Sequence, residues 1–357
     1  MPTLNVAVIG CGIGRAHLAE GYAALPDQFR VLALCDLDPA RLATVGAEFA
    51  IPRRTASFDE VLAMPDIDIV DICTPPTLHF PQTMAALAAG KQVICEKPLA
   101  GSLAEVDALI AAERGARGRV MPIFQYRYGD GIQKAHRIIA RGAAGRAYLG
   151  TAETAWNRGA DYYAVPWRGQ WKTELGGVLV THAIHLHDML TWLMGPVATV
   201  SGRIATRVNP IAVEDCAVAS LEMASGALVA LSATLGSARE ISRLRLCFEH
   251  VTFESALAPY APGNDPWQII AASPAAQAGI DAALAGWTPG LARFAGQLAA
   301  YHAALEAGAP PPVTLADARQ ALELATALYA SAATGLAQRL PLSRDHPKYH
   351  GWAPAPP

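Results

Sequence analysis

The sequence VAVIGCGIG, residues 6–14, joins a run of apolar, mostly β-branched residues to three glycines. A helix-forming stretch follows, so the pattern predicts a buried strand, a tight turn and a helix. Glycines at such a turn let backbone N–H groups approach a pyrophosphate at the positive end of the helix. The usual fingerprint is G-x-G-x-x-G, and here Arg15 occupies the position of the last glycine because Gly14 comes one residue early. The interpretation of the turn therefore depends on the residues that follow it.

A second apolar run ends at Asp36, about twenty residues after the glycine turn, where a carboxylate is placed to hold the ribose hydroxyls of a dinucleotide. The same charge repels a 2′-phosphate, so this unit is predicted to bind NAD in preference to NADP. The alternative is a tight glycine turn followed by a surface Asp that binds no ligand. The predicted cofactor contacts in this unit are Gly10, Gly12, Ile13, Gly14 and Asp36.

Short apolar strands alternate with Ala- and Leu-rich helical patterns up to residue 123. Strands without polar alternation are buried on both faces, which predicts a Rossmann domain with a doubly wound parallel sheet over residues 1–123. After about residue 145 the predicted strands alternate every second residue. This predicts a C-terminal α+β domain, residues 124–357, with a large, mostly antiparallel open sheet. The predicted class is therefore α/β.

The second half also gives three local predictions. We predict one strand over residues 241–253, one helix over residues 179–194, and a loop or weak helix over residues 259–290.

The charge balance of the chain is close to neutral, with 357 residues, 28 Lys and Arg, 31 Asp and Glu, and a formal net charge of −3. This balance excludes a basic surface for nucleic acid or anionic membranes. Apolar stretches are interrupted well before the ~18 residues of a membrane span, and Val6–Ile9 lacks the basic lead-in of a secretion signal. A cytoplasmic protein is expected. Its six single cysteines are expected to be buried thiols.

Polar residues follow two further predicted strands. Residues 71–76 lead to His79, and residues 93–95 lead to Glu96-Lys97-Pro98. Ligands of open parallel sheets lie beyond the carboxyl ends of the strands, so both turns are expected to face the cofactor. Pro98 favours an extended Lys97, which would direct the ammonium group toward that crevice. The predicted cofactor contacts in these turns are Thr74, Pro75, His79, Glu96 and Lys97.

Five short motifs follow one another along nearly the whole chain. They are Gly10-Cys11-Gly12 with His17, Cys73-Thr74-Pro75-Pro76 with His79, Glu96-Lys97-Pro98-Leu99-Ala100, Arg127, and Gly176-Gly177 through His185 and Asp188. Together they resemble the glucose-fructose oxidoreductase and inositol dehydrogenase family (Gfo/Idh/MocA). The resemblance implies a nicotinamide-binding Rossmann domain, a C-terminal domain with an open sheet, and chemistry on a sugar or cyclitol hydroxyl. It also implies a catalytic Lys97 and, by analogy, a homodimer or homotetramer.

The family's second motif reads Gly-Gly, then Asp, then His four residues later. His185 matches the catalytic His, whereas Thr181 stands where Asp is expected. On one continuous helix Thr181, His185 and Asp188 share a face, and His182 could help to occupy the vacant position. Thr181 and His185 are therefore the candidate catalytic residues of this segment. A zinc site is the alternative for this His-rich segment, but the resemblance explains the cluster and no metal is predicted.

Residues 156–172 interleave aromatic and cationic side chains with glycine and proline. Aromatic faces stack on the C–H surfaces of a sugar and cationic forks bind hydroxyls, so this stretch predicts a polyol pocket. The alternative is a loop whose rings pin it to the sheet or to a partner subunit. Arg168 and Lys172 would also suit a substrate carboxylate, which leaves acidic sugars open. With two residues from other motifs, the predicted substrate contacts are Arg127, Trp156, Arg158, Tyr163, Trp167, Arg168, Lys172 and His182.

These features predict an NAD-dependent oxidoreductase that oxidises, or reversibly reduces, a secondary hydroxyl of a sugar, cyclitol or glycoside. In this hypothesis His185 removes the hydroxyl proton while Lys97 hydrogen-bonds the same oxygen. One alternative is oxidation-assisted cleavage of a glycoside, with NAD recycled in place. Another is a non-catalytic NAD-binding sensor or regulator, which the missing Asp motivates.

Overall fold

The structure, a computed structural model, describes residues 3–354. Within this range the chain divides into two units. Unit 1 runs up to Gly101 and also contains Glu105–Gln125 and Arg293–Ala318, whereas unit 2 contains Ser102–Ala104, Tyr126–Ala292 and the chain from Arg319 onward. The predicted boundary between residues 123 and 124 assigns Arg293–Ala318 to the second domain, whereas in the structure this segment belongs to unit 1.

The helices of the described chain are mostly short. The α-helices are Gly14–Ala16, Pro39–Glu48, Phe58–Ala63, His79–Ala88, Leu103–Gly115, Asp130–Ala140, Ala160–Tyr163, Trp171–Glu174, Val178–Thr181, Ile184–Met194, Pro274–Leu284, Arg293–Ala307 and Leu315–Thr334. A π-helical turn spans His17–Gly21, and 3₁₀ turns span Tyr22–Ala24, Pro76–Leu78 and Gln125–Arg127. None of the helices in residues 3–354 is long and apolar enough to cross a membrane.

The sheet of unit 1 has six parallel strands in the order β3-β2-β1-β4-β5-β6. They are β1 Leu4–Ile9, β2 Phe29–Cys35, β3 Arg53–Thr55, β4 Ile69–Ile72, β5 Gln92–Cys95 and β6 Val120–Pro122. The β4 strand is buried at every residue, as a strand covered on both faces must be. β3 was not predicted because it is a three-residue strand beginning with two exposed arginines, without an apolar run.

Unit 2 contains an eight-stranded sheet in the order β13-β12-β11-β7-β10-β9-β8-β14. Its strands are β7 Ala147–Asn157, β8 Val197–Ala205, β9 Cys216–Met223, β10 Leu228–Thr234, β11 Gly236–Phe248, β12 Val251–Glu254, β13 Gln268–Ala271 and β14 Gln338–Arg339. Neighbouring strands are antiparallel except for β7 and β10, which are parallel. A parallel Rossmann sheet beside a separate, mostly antiparallel sheet confirms the predicted fold class.

One face of the second sheet is buried and the other is exposed. Along β10, alternate residues such as Val229 and Leu231 are buried. On the opposite face Leu228 pairs in register with Leu149 of β7, and these two side chains are 56% and 44% exposed. We call this surface, which also includes Val218 of β9 (56% exposed), the open sheet face.

Two local predictions in this unit were wrong and one was incomplete. The predicted strand over residues 241–253 is two strands, because the chain turns at residues 249–250 between β11 and β12. The predicted helix over residues 179–194 is two helices separated at residues 182–183. The predicted loop or weak helix over residues 259–290 does contain a helix, Pro274–Leu284, which begins at the N-cap Ser273 with Pro274 as its first residue, but it also contains the unpredicted strand β13.

Arg293–Ala307 returns to unit 1 because the first turns of the chain leave room for it. A Cβ atom on Gly21 would lie 2.7 Å from Leu298, so the small residue allows this helix to approach closely. The Phe294 ring lies 4.5 Å from the ring of His17. An apolar helix with fully buried Phe294 and Tyr301 thus closes the core of unit 1.

A buried ionic network joins His17 to two strand ends in unit 1. Its Nδ1 lies 2.8 Å from Asp71 and its Nε2 lies 3.0 Å from Glu96. The Tyr22 hydroxyl donates to Asp71 at 2.9 Å. Burial is the largest single effect on the pKa of His17 and lowers it, but the charge of Asp71, the Cys73 sulfur and the hydrogen bonds to both together raise that pKa well above its ordinary value. Two nitrogens facing two carboxylates therefore form an imidazolium that donates on both sides.

The thiol of Cys73 completes a cluster of three potential metal ligands, 3.5 Å from His17 and 3.5 Å from Asp71. An imidazolium has no lone pair for a metal, and burial raises the pKa of the Cys73 thiol, so the thiolate ligand is disfavoured as well. The cluster is therefore explained as an ion pair and not as a metal site.

We expect Asp71→Asn to lower the free energy of unfolding by about 3–5 kcal/mol, because it removes one of the two carboxylate charges that face a buried imidazolium. The raised pKa of His17 fixes the pH dependence: the loss is full below pH 6.5 and shrinks as the pH rises through the folded-state pKa. Chemical denaturation from pH 6 to pH 10 measures it. Tyr22→Phe, which removes one neutral donor to the same carboxylate, should cost about 1 kcal/mol at every pH. A pH-independent loss in Asp71→Asn would show that His17 is neutral.

Candidate functional site

The glycine turn of unit 1 is shaped by close contacts behind it and open space in front. Gly10 has φ +93°, and a Cβ there would lie 2.5 Å from the Cys73 carbonyl oxygen. A Cβ on Gly14 would lie 2.8 Å from Val8, so the early third glycine keeps the helix close to its strand. No described atom lies within 4 Å of the Cβ position of Gly12. The turn therefore presents a small, open backbone surface, as a dinucleotide pyrophosphate requires, and Ile13 beside it is 45% exposed.

Asp36 ties the end of β2 to this turn. Its Oδ2 accepts a hydrogen bond from the Cys11 backbone N–H at 2.7 Å, and its Oδ1 accepts one from Asp38 at 2.8 Å. A guanidinium nitrogen of the half-exposed Arg41 lies 3.5 Å from the same carboxylate. The carboxylate therefore both shapes the glycine turn and places a negative charge beside it, with one neighbouring cation. This arrangement fits a ribose with free hydroxyls.

The turns after β4 and β5 are braced by His79. This side chain is 1% exposed, and its two ring nitrogens each lie 2.7 Å from a carbonyl oxygen, that of Pro98 and that of Thr74. Burial lowers the pKa of His79. The Thr74 hydroxyl donates to Gln82 at 2.6 Å, and Pro75 directly precedes the 3₁₀ turn Pro76–Leu78. The His79 ring therefore lies between the two turns, with one N–H to donate to a carbonyl oxygen, and its contact with the cofactor stays a prediction.

Glu96 likewise supports its own turn. One carboxylate oxygen faces His17, and the other accepts the backbone N–H of Lys97 at 3.0 Å. Glu96 is 4% exposed, so its side chain supports the turn from within the protein, and its predicted contact with the cofactor stays a prediction. The neighbouring Pro98 is also buried, whereas Lys97 is half-buried. Lys97 is therefore the ionisable side chain of this turn that remains accessible to a ligand.

The segment of unit 2 that carries the histidines begins at a glycine pair packed against Glu214. A Cβ on Gly177 would lie 1.7 Å from the Glu214 carbonyl oxygen, so no larger residue fits there. The Glu214 carboxylate accepts hydrogen bonds from the N–H groups of Gly177 and Leu179, each at 3.0 Å, and from the Tyr329 hydroxyl at 2.8 Å. Burial raises the pKa of Glu214 to about 7, against the opposing effect of these donors. Sequence reasoning missed Glu214, although a Gly-Gly pair before a helix signals a close backbone neighbour.

The histidine segment is not one helix. Val178–Thr181 ends at His182, whose φ of −126° and ψ of −59° interrupt it, and Ile184–Met194 begins two residues later. The Thr181 Oγ1 lies 2.6 Å from the Gly177 carbonyl oxygen and 2.6 Å from His182 Nδ1. The predicted shared face of Thr181, His185 and Asp188 is therefore wrong, and the hydroxyl orients His182.

His185 and Asp188 occupy the second helix. The His185 ring stacks on Tyr126 at 4.3 Å and 24° and is 3% exposed. Asp188 forms a buried two-point salt bridge with Arg127, at 2.8 Å and 2.5 Å. The Arg127 guanidinium thus neutralises Asp188, and the predicted contact of Arg127 with the substrate stays a prediction. In residues 3–354 the group with metal-ligand spacing is the His17 cluster, and the histidine segment forms no such group.

The aromatic and cationic side chains predicted for the substrate gather around His182. The Trp156 ring meets the His182 ring edge-on at 5.0 Å, and Tyr162 lies 5.6 Å away. The Arg158 guanidinium stacks on Trp156 at 4.9 Å and forms a salt bridge with Glu240 at 2.7 Å. We call these residues, together with Tyr260 and the Arg168 group below, the ring cluster.

Arg168 extends the ring cluster on its other side. Its guanidinium stacks on Tyr162 at 3.9 Å and on Trp167 at 4.3 Å, and it pairs with Glu174 at 3.4 Å. Tyr163 lies edge-on to Tyr162 at 5.0 Å. Lys172 is exposed in the short helix Trp171–Glu174. The structure thus brings five of the predicted contacts, Trp156, Arg158, Tyr163, Trp167 and Arg168, into one connected cluster, which reaches His182 through Trp156 and Tyr162.

Comparison with known proteins agrees with both halves of this description. Residues 4–124 match a family model described as an oxidoreductase family with an NAD-binding Rossmann fold, and residues 132–254 match the GFO/IDH/MocA C-terminal domain. The chain is 30% identical over 269 residues to levoglucosan dehydrogenase of Pseudarthrobacter phenanthrenivorans. The alignment covers 66% of this chain and 68% of that enzyme.

Two solved structures show the same architecture. The WlbA dehydrogenase of Bordetella pertussis in complex with NADH and UDP-GlcNAcA has a TM-score of 0.82 and 26% identity, covering 96% of this chain and 100% of the other. A levoglucosan dehydrogenase in complex with NADH and levoglucosan has a TM-score of 0.81 and 25% identity, covering 95% and 100%. The resemblance drawn from the motifs is confirmed: the chain belongs to the GFO/IDH/MocA oxidoreductase family, with an N-terminal NAD-binding Rossmann fold.

Proposed function

We propose that this chain catalyses the NAD-dependent oxidation, or the reverse reduction, of a secondary hydroxyl of a neutral sugar, cyclitol or glycoside. The observation that carries the proposal is the ring cluster at His182, in which each arginine already has an acidic partner. Arg158 pairs with Glu240 and Arg168 with Glu174, while the nearby Arg127 pairs with Asp188.

Paired arginines favour a neutral ligand for an energetic reason. A substrate carboxylate binds well where a cation lacks a partner, and taking Arg158 or Arg168 from its own acid would leave that acid partly buried and uncompensated. Aromatic faces and polar edges suit the C–H surfaces and hydroxyls of a neutral sugar. The relatives named for levoglucosan, an uncharged anhydrosugar, agree with this choice, whereas the WlbA dehydrogenase was solved with the acidic UDP-GlcNAcA, so the neutral assignment rests on the paired arginines.

The residues divide the proposed chemistry between them. When bound, NAD supplies the acceptor for the hydride that leaves the hydroxyl-bearing carbon. Lys97 donates a hydrogen bond to the reacting oxygen and stabilises its developing negative charge, and His185 accepts the hydroxyl proton. Gly10, Gly12, Ile13, Gly14 and Asp36 hold the dinucleotide.

A substrate screen tests the function. NADH formation is followed with matched pairs that differ only in charge, such as glucose and glucuronate, alongside anhydrosugars, cyclitols and glycosides. The neutral member of each pair should be oxidised faster. Faster oxidation of the acids would overturn the neutral assignment, and release of the aglycone from a glycoside without net NADH would favour oxidation-assisted cleavage instead.

The position of Asp36 predicts tighter binding of NAD than of NADP, because a 2′-phosphate would meet its charge. Asp36→Asn keeps an oxygen that accepts the Cys11 N–H and removes the negative charge. The ratio of NADP to NAD dissociation constants should therefore fall about tenfold, mainly because NADP binds more tightly. Asp36→Ala also removes support for the glycine turn and should weaken both cofactors. Fluorescence titration with NADH and NADPH measures these affinities. An unchanged preference in Asp36→Asn would assign cofactor choice to another group, with Arg41 the first to examine.

Lys97→Ala should lower kcat about a hundredfold or more, with NADH affinity nearly unchanged, because the ammonium group acts on the reacting oxygen. Lys97→Arg retains the charge but holds its proton near neutral pH. Partial activity in Lys97→Arg would assign the residue to charge stabilisation, and activity as low as in Lys97→Ala would assign it to proton exchange. Near-normal turnover in Lys97→Ala would remove the residue from the reaction.

We also propose that the chain forms a homo-oligomer through the open sheet face, where Leu149, Val218 and Leu228 are about half exposed. Sedimentation velocity should show a dimer or larger species. Leu228→Asp, which places a charge at the centre of that face, should shift the distribution to monomer. Leu37→Asp is the matched control, because Leu37 is 81% exposed in unit 1. A monomeric wild-type chain would contradict the proposal.

A further inference from the structure

Three successive backbone N–H groups at the start of the helix Val178–Thr181 are bonded to one residue, Glu214. Its carboxylate accepts the N–H groups of Gly177 and Leu179, each at 3.0 Å, and its backbone carbonyl oxygen accepts that of Val178 at 2.9 Å. The first N–H groups of a helix have no partners within the helix itself. Gly177 occupies the N-cap position and has no side chain that could cap the helix. Glu214, which lies 37 residues after Gly177, therefore supplies the cap.

The connection that enters this helix has a backbone conformation that needs support. Leu175 has a φ of +68°, a left-handed conformation that a bulky L side chain rarely adopts. The indole N–H of Trp352 donates to the Leu175 carbonyl oxygen, and the Trp352 ring stacks on the ring of Tyr329 at 6.1 Å and 12°. A residue persists in such a conformation where its surroundings fix it. The connection is fixed by Trp352 at Leu175 and by Glu214 at Gly177.

A chain of short contacts leads from Glu214 to the ring cluster. Gly177, which donates its N–H to Glu214, accepts the Thr181 hydroxyl at its carbonyl oxygen at 2.6 Å. The Thr181 Oγ1 lies 2.6 Å from His182 Nδ1, and the His182 ring meets the Trp156 ring edge-on at 5.0 Å. All five residues are buried, and closely packed side chains leave little space in which a displacement could be absorbed. The position of His182 in the ring cluster therefore depends on Glu214.

We propose that Glu214 is a positioning residue for the sugar substrate, because by capping the helix Val178–Thr181 it fixes His182 in the ring cluster. The identity of the ligand as a sugar rests on the proposed function, whereas the coupling of Glu214 to His182 rests on contacts within the protein. A carboxylate suits this role better than an amide, because both of its oxygens face N–H or O–H donors. Glu214→Gln replaces one of these oxygens with an NH₂ group and so places a donor against a donor.

The coupling is tested without substrate or turnover. In protein labelled at ¹³Cε1 of histidine, each ring gives one proton–carbon signal, and that of His182 is assigned by its loss in His182→Gln. Glu214→Gln should move the His182 signal, because the ring then shifts relative to the ring current of Trp156. Phe253→Leu is the matched control: it weakens the core of the same unit at a fully buried residue of β12 and should leave the signal in place. An unmoved His182 signal in Glu214→Gln would overturn the inference.

The consequence for the substrate is tested with the best sugar from the screen. At pH 8.5 Glu214→Gln should raise KM for the sugar about tenfold, with a smaller change in kcat and an unchanged affinity for NADH. A loss of folded protein would lower kcat alone, because KM does not depend on the concentration of active enzyme. Tyr329→Phe removes one donor to the carboxylate and keeps the ring on Trp352, so its KM should rise about two- to threefold. Phe253→Leu should keep the wild-type KM.

The pH dependence separates the charge of Glu214 from the bulk of its side chain. Burial raises the pKa of Glu214 to about 7, so this side chain is charged at pH 8.5 and largely neutral at pH 6. Tyr329 faces it and keeps its proton over this range, because burial and the Glu214 charge raise the pKa of Tyr329 well above its ordinary value, with a smaller contribution from Glu174. The ratio of KM in Glu214→Gln to KM in the wild type cancels the titration of groups that both proteins share. This ratio should fall from about ten at pH 8.5 toward one at pH 6, where a neutral carboxyl group resembles the amide.

The outcomes separate the two proposals. A wild-type KM in Glu214→Gln at pH 8.5, or a KM ratio that does not change with pH, would overturn the positioning role while the sugar dehydrogenase function stands. If Glu214→Gln does not fold, Tyr329→Phe provides the same test, and a wild-type KM in that variant would overturn the role. If no sugar in the screen reduces NAD, the proposed function fails, and the histidine spectra still decide whether Glu214 positions His182.

Discussion

The ionic bridge made by His17 is the interaction on which the chemistry of unit 1 depends. One imidazolium, 0% exposed, joins the first helical turn to Asp71 at the end of β4 and to Glu96 after β5. Glu96 in turn holds the backbone of Lys97. Removing His17, Asp71 or Glu96 would leave an uncompensated charge in the protein interior, which strongly lowers the free energy of unfolding. The strand ends and the Lys97 turn are therefore fixed together as one unit.

In unit 2 a buried carboxylate, stabilised by hydrogen-bond donors, supports the segment that carries the histidines. Glu214 is held by two backbone N–H groups and by the Tyr329 hydroxyl, and its backbone occupies the space where a side chain on Gly177 would stand. The helix that it supports is only four residues long and ends at Thr181. That short length allows the chain to bend at His182 and place the ring beside Trp156 and Tyr162. In both units a buried acid thus supports the segment that carries the candidate residues.

The sequence was sufficient for features that depend on apolar patterning and insufficient for those that depend on polar partners. The Rossmann strands other than β3 and the antiparallel character of the second sheet were predicted, because burial on one or two faces leaves a periodic signal. The family was identified from its short motifs. The break at His182 left no such signal, since it is set by a Thr hydroxyl and by Glu214, which lies 33 residues after Thr181. The internal partners of His79 and Arg127 were not predicted for the same reason. The carbonyl oxygens beside His79 and the carboxylate of Asp188 beside Arg127 come from distant parts of the sequence.

The replacement of the family Asp by Thr181 is consistent with the charge balance of this segment. Asp188 is neutralised by Arg127, and the arginines of the ring cluster are neutralised by Glu240 and Glu174. A second carboxylate at position 181 would be 9% exposed or less, and the pairs named here offer it no spare cation. The Thr181 hydroxyl needs no counter-ion, because it is uncharged and its proton is donated to the Gly177 carbonyl oxygen within the same helical turn. A hydroxyl therefore satisfies this buried position at a lower cost than a second carboxylate would.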